Sequence, residues 1–500
     1  MAAVAGAYQE ETTALALSEK SKLITSLRRF DMWFFTVCAF VGLDTLGTVA
    51  KNGAEGFLWL IVLALVFVAP YMLLMAEVGS AFTQEGGPYE WTKMAFGRLH
   101  GGIASILYWI TNPLWVGGSL AFIAHDAWGA NVFKLTFIRI SIGVAIISLR
   151  YGKWIPNFGA LLRAVVLGFF SITVIVYGAK HGVAGFQFSH LSPTRAVFFG
   201  LVPVLLFNYV GFELQNGAAE EMENPQRDVP LSVLRSGITG VLMYVIPILC
   251  ILVVLPANKV TGIGGFIDAV TLTFHGVYGG AAHALLIVMT LCFVGALVTS
   301  GAVWMIGSDR IQAVASYDGA FIPFFGVFNR KLGTPVRVNV MSGVASSIFC
   351  IAAIIMLRHQ STASAFTVVL DIAISTTLLS YLWIFPAALK LRYSHPGVHR
   401  PYVHPFGMPG IWISTILTTF WIALGSFEAV FPDTLERLFG VSYGFKGSWG
   451  VGQGEFEALT LGTLAVIVAL GLIGYVLGAG VRRQTAVVSL GGEEAAALPA

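Results

Sequence analysis

The stretch Phe198–Pro230, FFGLVPVLLFNYVGFELQNGAAEEMENPQRDVP, opens as a membrane-length apolar run and then stops behaving like one. Asn208, Gly211, Glu213, Gln215, Asn216 and Gly217 crowd polar and helix-weakening residues into what would be the bilayer core. A helix in lipid satisfies its own backbone, so an interruption is tolerated only where it is buried in protein or lines a water-filled cavity. A carboxylate such as Glu213 facing lipid would cost roughly 2.5–3.5 kcal/mol on insertion scales. The stretch therefore reads as a broken helix lining a site. The simpler alternative is a kinked helix whose polar groups only bond a neighbouring helix.

Outward from that stretch, the chain is built for lipid. Its 500 residues are 56% hydrophobic and 11% charged, against roughly 25% charged in soluble domains. Apolar runs of about 20 residues, enough to cross a bilayer core, recur along nearly the whole length. Candidate spans fall at 30–50, 57–81, 102–127, 133–150, 157–179, 197–217, 231–255, 283–308, 338–357, 363–389, 409–431 and 457–480. The expected fold class is an all-α polytopic membrane protein of about 12 transmembrane helices. Cys38, Cys250, Cys292 and Cys350 all sit inside apolar runs without ligand spacing and read as small core residues. Residues 1–29 are polar and the first apolar run is too long for a signal core, so no cleavable leader is expected.

An even number of spans places both termini on one side of the membrane. Lys and Arg concentrate in the loops on that side, among them Lys20, Lys22, Arg28, Arg29, Lys93, Arg98, Arg310, Arg330, Lys331 and Arg337. The bias puts both termini in the cytoplasm of a protein of the cell membrane.

The first span is damaged like the sixth. FVGLDTLGTVAKNGAEG (Phe40–Gly56) sets Gly42, Asp44, Thr45, Gly47 and Thr48 at membrane depth. Polar, glycine-containing breaks five spans apart are the pattern of a 5+5 inverted repeat, each half opening with a discontinuous helix. The expected organisation is a tail at 1–29, repeats at 30–180 and 197–390, two added helices within 391–480, and a tail at 481–500.

Three ordered motifs carry a family resemblance. GFELQNGAAEEMENPQRDVP (Gly211–Pro230) resembles the sixth-helix signature of the amino acid–polyamine–organocation (APC) transporters. AEVGSAFTQEGGPYEWTKMAFG (Ala76–Gly97) resembles the end of their second helix and the loop after it. SDRIQAVASYDGAFIPFFGVFNRKLGTPVRVN (Ser308–Asn339) resembles their eighth-helix exit. Tone and spacing are most similar to the glutamate/γ-aminobutyrate antiporter branch. The resemblance implies a leucine-transporter-like fold and alternating access.

It also implies roles. In the family, free backbone N–H groups at the first break hold a substrate carboxylate, and the matching residues are Gly42, Leu43, Asp44 and Thr45. Asp44 departs from the usual small residue, and an ionised Asp would repel a carboxylate ligand. Three readings stay open for it: it binds a substrate ammonium, it carries a coupling proton, or it pairs with Arg163. Arg163 matches a fifth-helix position where sodium-independent relatives carry a Lys in place of a sodium ion. Arg cannot deprotonate, so there it would be a fixed cation. Its alternative is to snorkel to the headgroups. Phe207 matches an aromatic gate, or is core. Asn208 and Gly211 face the same expected substrate site. Glu213 is a proton site or an acceptor for backbone groups freed by the break.

Other residues carry weaker signals. Asn112 and Trp115 in the third span read first as packing. Asp371 is an intramembrane carboxylate and so a functional candidate, unless it lies at the interface. His395, His399 and His404 sit in a Pro-rich loop and read as solvated, while Glu220, Glu221, Glu223, Arg227 and Asp228 form a charged exit. No HExxH, paired-Asp or helical GxSxG constellation suggests an enzyme, and no repeated filter suggests a channel. The expectation is a secondary transporter of amino acids or related amines, with a polyamine or cationic amine carrier as the alternative. Its partners would be a small-molecule substrate, protons and the bilayer, with no nucleic acid, cofactor or metal.

Overall fold

The computed structural model describes residues 8–119, 136, 138–146, 154–183, 191, 194–260, 264–356, 362–441 and 444–490. Strand β1 (Tyr8–Thr13) and helix α1 (Ala14–Lys20) precede α2 (Arg29–Phe40), α3 (Leu46–Ala50) and α4 (Gly53–Leu63). Then come α5 (Ala69–Ala81), α6 (Gly87–Phe96), α7 (Arg98–Ser119) and α8 (Trp154–His181). The second half holds α9 (Arg195–Asn208), α10 (Pro225–Val254), α11 (Gly265–Tyr278), α12 (Ala282–Tyr317) and α13 (Val336–Met356). It ends with α14 (Thr362–Ser394), α15 (Gly407–Val430), α16 (Gln453–Leu477) and β2 (Thr485–Leu490). Eight helical segments among the described residues are long and apolar enough to cross a membrane. Parts of the span expected at 133–150, and the end of that at 102–127, lie outside the described residues.

Both expected breaks are present. The first span divides into α2 and α3, with Val41 in extended conformation as the cap of α2. The sixth stops at Asn208 and resumes as a 3₁₀ segment over Leu214–Glu221. Gly211 makes that interruption possible, because its φ of 117° is a conformation side chains rarely adopt. A Cβ there would also stand 3.1 Å from the Trp304 ring.

A broken helix frees carbonyls, and the bundle supplies a donor for each of the last four of α2. Ser300 Oγ donates to Cys38 O at 3.3 Å and Trp304 Nε1 to Ala39 O at 2.9 Å. Tyr244 OH donates to Phe40 O at 2.8 Å, and Arg163 Nε donates to Val41 O at 2.8 Å. These donors come from α12, α10 and α8, so the break is held by three helices distant in sequence. Around it, α10 packs on α2 and α5, α12 on α7 and α8, and α14 on α7 and α15.

The segments near the two ends meet, because β1 pairs antiparallel with β2 from Tyr8↔Leu490 to Thr13↔Thr485. Both strands therefore lie on one face. Ser26 and Leu27 N–H groups donate to Glu221 O at 2.8 and 2.9 Å, and Glu223 N–H donates to Leu27 O at 2.9 Å. The cause is burial: Ala16 and Leu27 enter the core. His404 is likewise buried rather than solvated. Its backbone N–H donates to Glu77 Oε2 at 2.8 Å, and its ring Nε2 lies 3.0 Å from Ser414 Oγ. Burial lowers its pKa. Glu77 also draws in Arg392 at 2.8 Å and Arg400 at 3.3 Å, so one anion at the end of α5 organises the whole loop.

Candidate functional site

The two breaks face one another across a small central cavity of about 40 Å³. Gly42, Asp44 and Thr45 line it from the first break, and Phe207, Asn208 and Val210 from the second. Asn112 and Trp115 close it from α7, Tyr244 from α10, and Ser300 and Trp304 from α12. Of the residues expected at the site, Leu43 and Gly211 do not line the cavity. Leu43 packs into the core, and Gly211 shapes the chain behind the wall, its N–H donating to Tyr71 OH at 3.0 Å.

Among the described residues, Asp44 is the only carboxylate on this wall. It is 2% exposed, and its Oδ2 accepts from Trp115 Nε1 at 2.9 Å. That bond contradicts a pure packing role for Trp115, which holds the carboxylate and helps line the cavity. Nothing from Arg163 is hydrogen-bonded to Asp44. The Arg163 guanidinium donates instead to Val41 O, to Gly159 O and Ala296 O at 2.8 Å each, to Cys38 Sγ at 3.3 Å and to Thr299 Oγ1 at 3.4 Å. The Asp44–Arg163 pair is thus corrected. So is snorkelling, since Arg163 is fully buried and bridges α8 to α2 and α12. The planar fork reaches all three helices at once, and backbone carbonyls rather than a carboxylate use up its donors.

Glu213 lies beyond the cavity wall among hydroxyls. Tyr108 OH and Tyr381 OH each donate to its Oε1 at 2.6 Å, and Tyr71 OH donates to Oε2. Tyr71 OH also accepts from the N–H groups of Gly211 and Phe212 at 3.0 and 3.3 Å. One tyrosine therefore serves the freed backbone and the carboxylate together. Sequence reading missed this cage, although its signal existed: a tyrosine hydroxyl at membrane depth must find a partner. Asp371 is buried on α14, away from the cavity, and its Oδ2 has no hydrogen-bond partner among the described residues.

On the face that carries β1 and β2, Arg310, Glu85, Glu220 and Glu221 form a charged network. Arg310 Nε donates to Glu221 Oε1 at 2.9 Å and lies 3.6 Å from Glu85 Oε1. Glu85 accepts from the Glu220 N–H at 3.1 Å, Glu220 accepts from the Glu85 N–H at 3.2 Å, and Lys20 Nζ reaches Glu220 at 2.6 Å. Burial, reinforced by neighbouring Glu221, pushes the Glu85 carboxyl well above the ordinary carboxylate range despite Arg310. Glu223 pairs with Arg28 at 2.9 Å, so the acidic exit joins the terminal segment to the gate.

Two discontinuous helices meeting at a cavity within a bundle of apolar helices are the architecture of the leucine-transporter-like fold. The chain belongs to the amino acid permease family, whose model matches residues 27–444, within the APC superfamily. It is 29% identical over 383 residues to the protein named "Probable agmatine/putrescine antiporter" of Lactococcus lactis, covering 73% of this chain and 79% of that protein. It is 30% identical over 405 residues to an uncharacterised transporter of Legionella pneumophila, covering 76% and 84% of the two chains. A methylthioribose transporter of Bacillus subtilis matches at 22% over 470 residues, covering 83% and 94%. Among solved structures, the manganese transporter of Eremococcus coleocola superposes with a TM-score of 0.59 at 12% identity, covering 90% of this chain and 94% of that one. That likeness speaks to the fold alone. The protein is a transporter and not an enzyme.

Proposed function

We propose that this transporter carries cationic amines, holding the substrate ammonium on Asp44. The observation that supports this is the placement of Asp44: its carboxyl lines the cavity, and the hydrogen bonds of Arg163 go elsewhere. A ligand carboxylate would meet that anion inside a low-dielectric wall, whereas an ammonium is drawn to it by about 4 kcal/mol at 4 Å and an effective dielectric of 20. Aromatic faces of Phe40, Phe207, Trp115 and Trp304 around the cavity add cation–π attraction. The name of the Lactococcus relative, an agmatine/putrescine antiporter, supports the same class. The ordinary α-amino-acid pose is disfavoured. In this reading Phe207 is the gate, Asn208 a ligand contact, Glu213 a coupling group and Arg163 a fixed structural cation. Transport would then run without sodium, because Arg163 already fills the carbonyl pocket between α2 and α12.

A competition assay between an amino acid and its decarboxylated amine tests the charge reading. The wild-type protein should prefer the amine, and Asp44→Asn should narrow or invert that preference. Equal ranking of both ligands in both proteins would show that Asp44 does not read substrate charge.

A further inference from the structure

Besides Asp44, the cavity wall carries two amides with unmet hydrogen-bonding capacity. Asn112 is 2% exposed, and its Nδ2 donates to Gly301 O at 3.3 Å, which fixes the amide against α12. Its Oδ1 has no hydrogen-bond partner among the described residues. Asn208 is 3% exposed, and its Nδ2 is likewise without one. Both residues line the same cavity as Asp44, one from α7 and one from the end of α9. Buried amide atoms left unpaired are costly, and folded proteins seldom keep them without use.

We propose that Asn112 and Asn208 read the far end of a bifunctional amine: a short aliphatic ammonium whose other end carries a hydrogen-bond donor. This rests on the ammonium reading of Asp44 and adds the second half of the ligand. Asn112 Oδ1 can only accept, so the remote group must donate to it. Asn208 Nδ2 can only donate, so a remote hydroxyl, which does both, leaves neither amide unpaired. A second ammonium satisfies Asn112 alone. A plain alkyl end satisfies neither, and a carboxylate end faces both the Asn112 oxygen and the Asp44 charge.

The test is calorimetric titration of the protein in detergent with four ligands that share a four-carbon chain: butylamine, 4-aminobutanol, putrescine and 4-aminobutyrate. 4-Aminobutanol and putrescine should each bind at least about tenfold tighter than butylamine, with 4-aminobutyrate weaker than 4-aminobutanol. Asn112→Leu should bring putrescine to within about twofold of butylamine and shrink, without abolishing, the advantage of 4-aminobutanol, which keeps Asn208 as a donor. Butylamine binding as tightly as 4-aminobutanol in the wild type overturns the proposal, and so does 4-aminobutyrate binding tightest. A putrescine advantage that persists in a folded Asn112→Leu protein also overturns it. The wild-type ranking decides the matter even where that variant fails to fold. Failure of the Asp44 reading looks different: Asp44→Asn would then leave the affinity of all the amines unchanged.

Discussion

Replacing Arg163 with alanine tests the chemical logic of the broken first helix. The side chain is completely buried and donates five hydrogen bonds to groups on α2, α8 and α12. The carbonyls of Gly159 and Ala296 also lie within helices and keep backbone partners, so they lose only the extra bond. Val41 O is different, because it closes α2 in extended conformation and Arg163 is its donor. Deleting the guanidinium strands that carbonyl at about 1–3 kcal/mol and removes the charge-assisted bonds as well. The total expected loss is about 3–5 kcal/mol, a large share of the roughly 5–15 kcal/mol that holds a typical protein folded.

Thermal unfolding of the purified protein, read by tryptophan fluorescence with yield of monodisperse material alongside, measures it. Arg163→Ala should lower both yield and melting temperature by several degrees. Arg163→Lys should recover part of the loss, since one ammonium can reach Val41 O but cannot span the fork. The lysine variant should also gain a second pH dependence of transport on top of any that wild type shows, because a buried lysine can lose its proton within an accessible range. Unchanged stability in Arg163→Ala would refute the claim that a fixed cation closes the first helix.

Two further outcomes can be measured on the same preparations. Glu85 has a folded-state pKa above its unfolded one, so its stabilising contribution is full at low pH and drains away as pH rises through the raised value. Apparent stability should decline from mildly acidic to alkaline pH in wild type and flatten in Glu85→Gln; an identical slope in both would show that the gate carboxyl is not the titrating group. Trp115→Phe keeps the ring but removes the donor to Asp44, and should weaken amine binding about three- to tenfold. The same substitution in Asp44→Asn should cost much less, and a cycle showing full additivity would separate the two residues.

The breaks were legible in the sequence because they violate the one rule lipid enforces. Gly42 to Thr48 and Asn208 to Gly217 cannot be lipid-facing helix, and nothing downstream changes that. What repairs the breaks was not legible. Ser300, Trp304, Tyr244 and Arg163 reach the end of α2 from helices far along the chain, and no local pattern marks a Trp or Tyr as a carbonyl donor. Trp115 looked like packing for the same reason: its partner Asp44 lies 71 residues away. His404 looked solvated because a Pro-rich loop usually is, and only the Glu77 anion at the end of α5 brings it inside. Local chemistry exposes a problem in the chain, whereas its solution is tertiary.

The amine reading, in which Asp44 is ionised, also bears on the mode of transport. In that reading the empty cavity holds a carboxylate bonded by the Trp115 indole N–H, and a change of conformation must carry that charge through a low-dielectric interior. A bound ammonium neutralises it, with an attraction on the order of 4 kcal/mol at 4 Å and an effective dielectric of 20. Each 1.4 kcal/mol of such a difference is about tenfold in the population able to cross, so the loaded carrier should reorient far more readily than the empty one. The expected behaviour is exchange. Liposomes preloaded with unlabelled amine should take up labelled amine at least about tenfold faster than empty liposomes, and Asp44→Asn should shrink that ratio by freeing the empty carrier. Lowering the pH should raise net uptake into empty liposomes, because a proton on Asp44 neutralises the cavity as an ammonium does. Equal rates into loaded and empty liposomes, unchanged by Asp44→Asn, would mean that the charge in the cavity does not govern the return step.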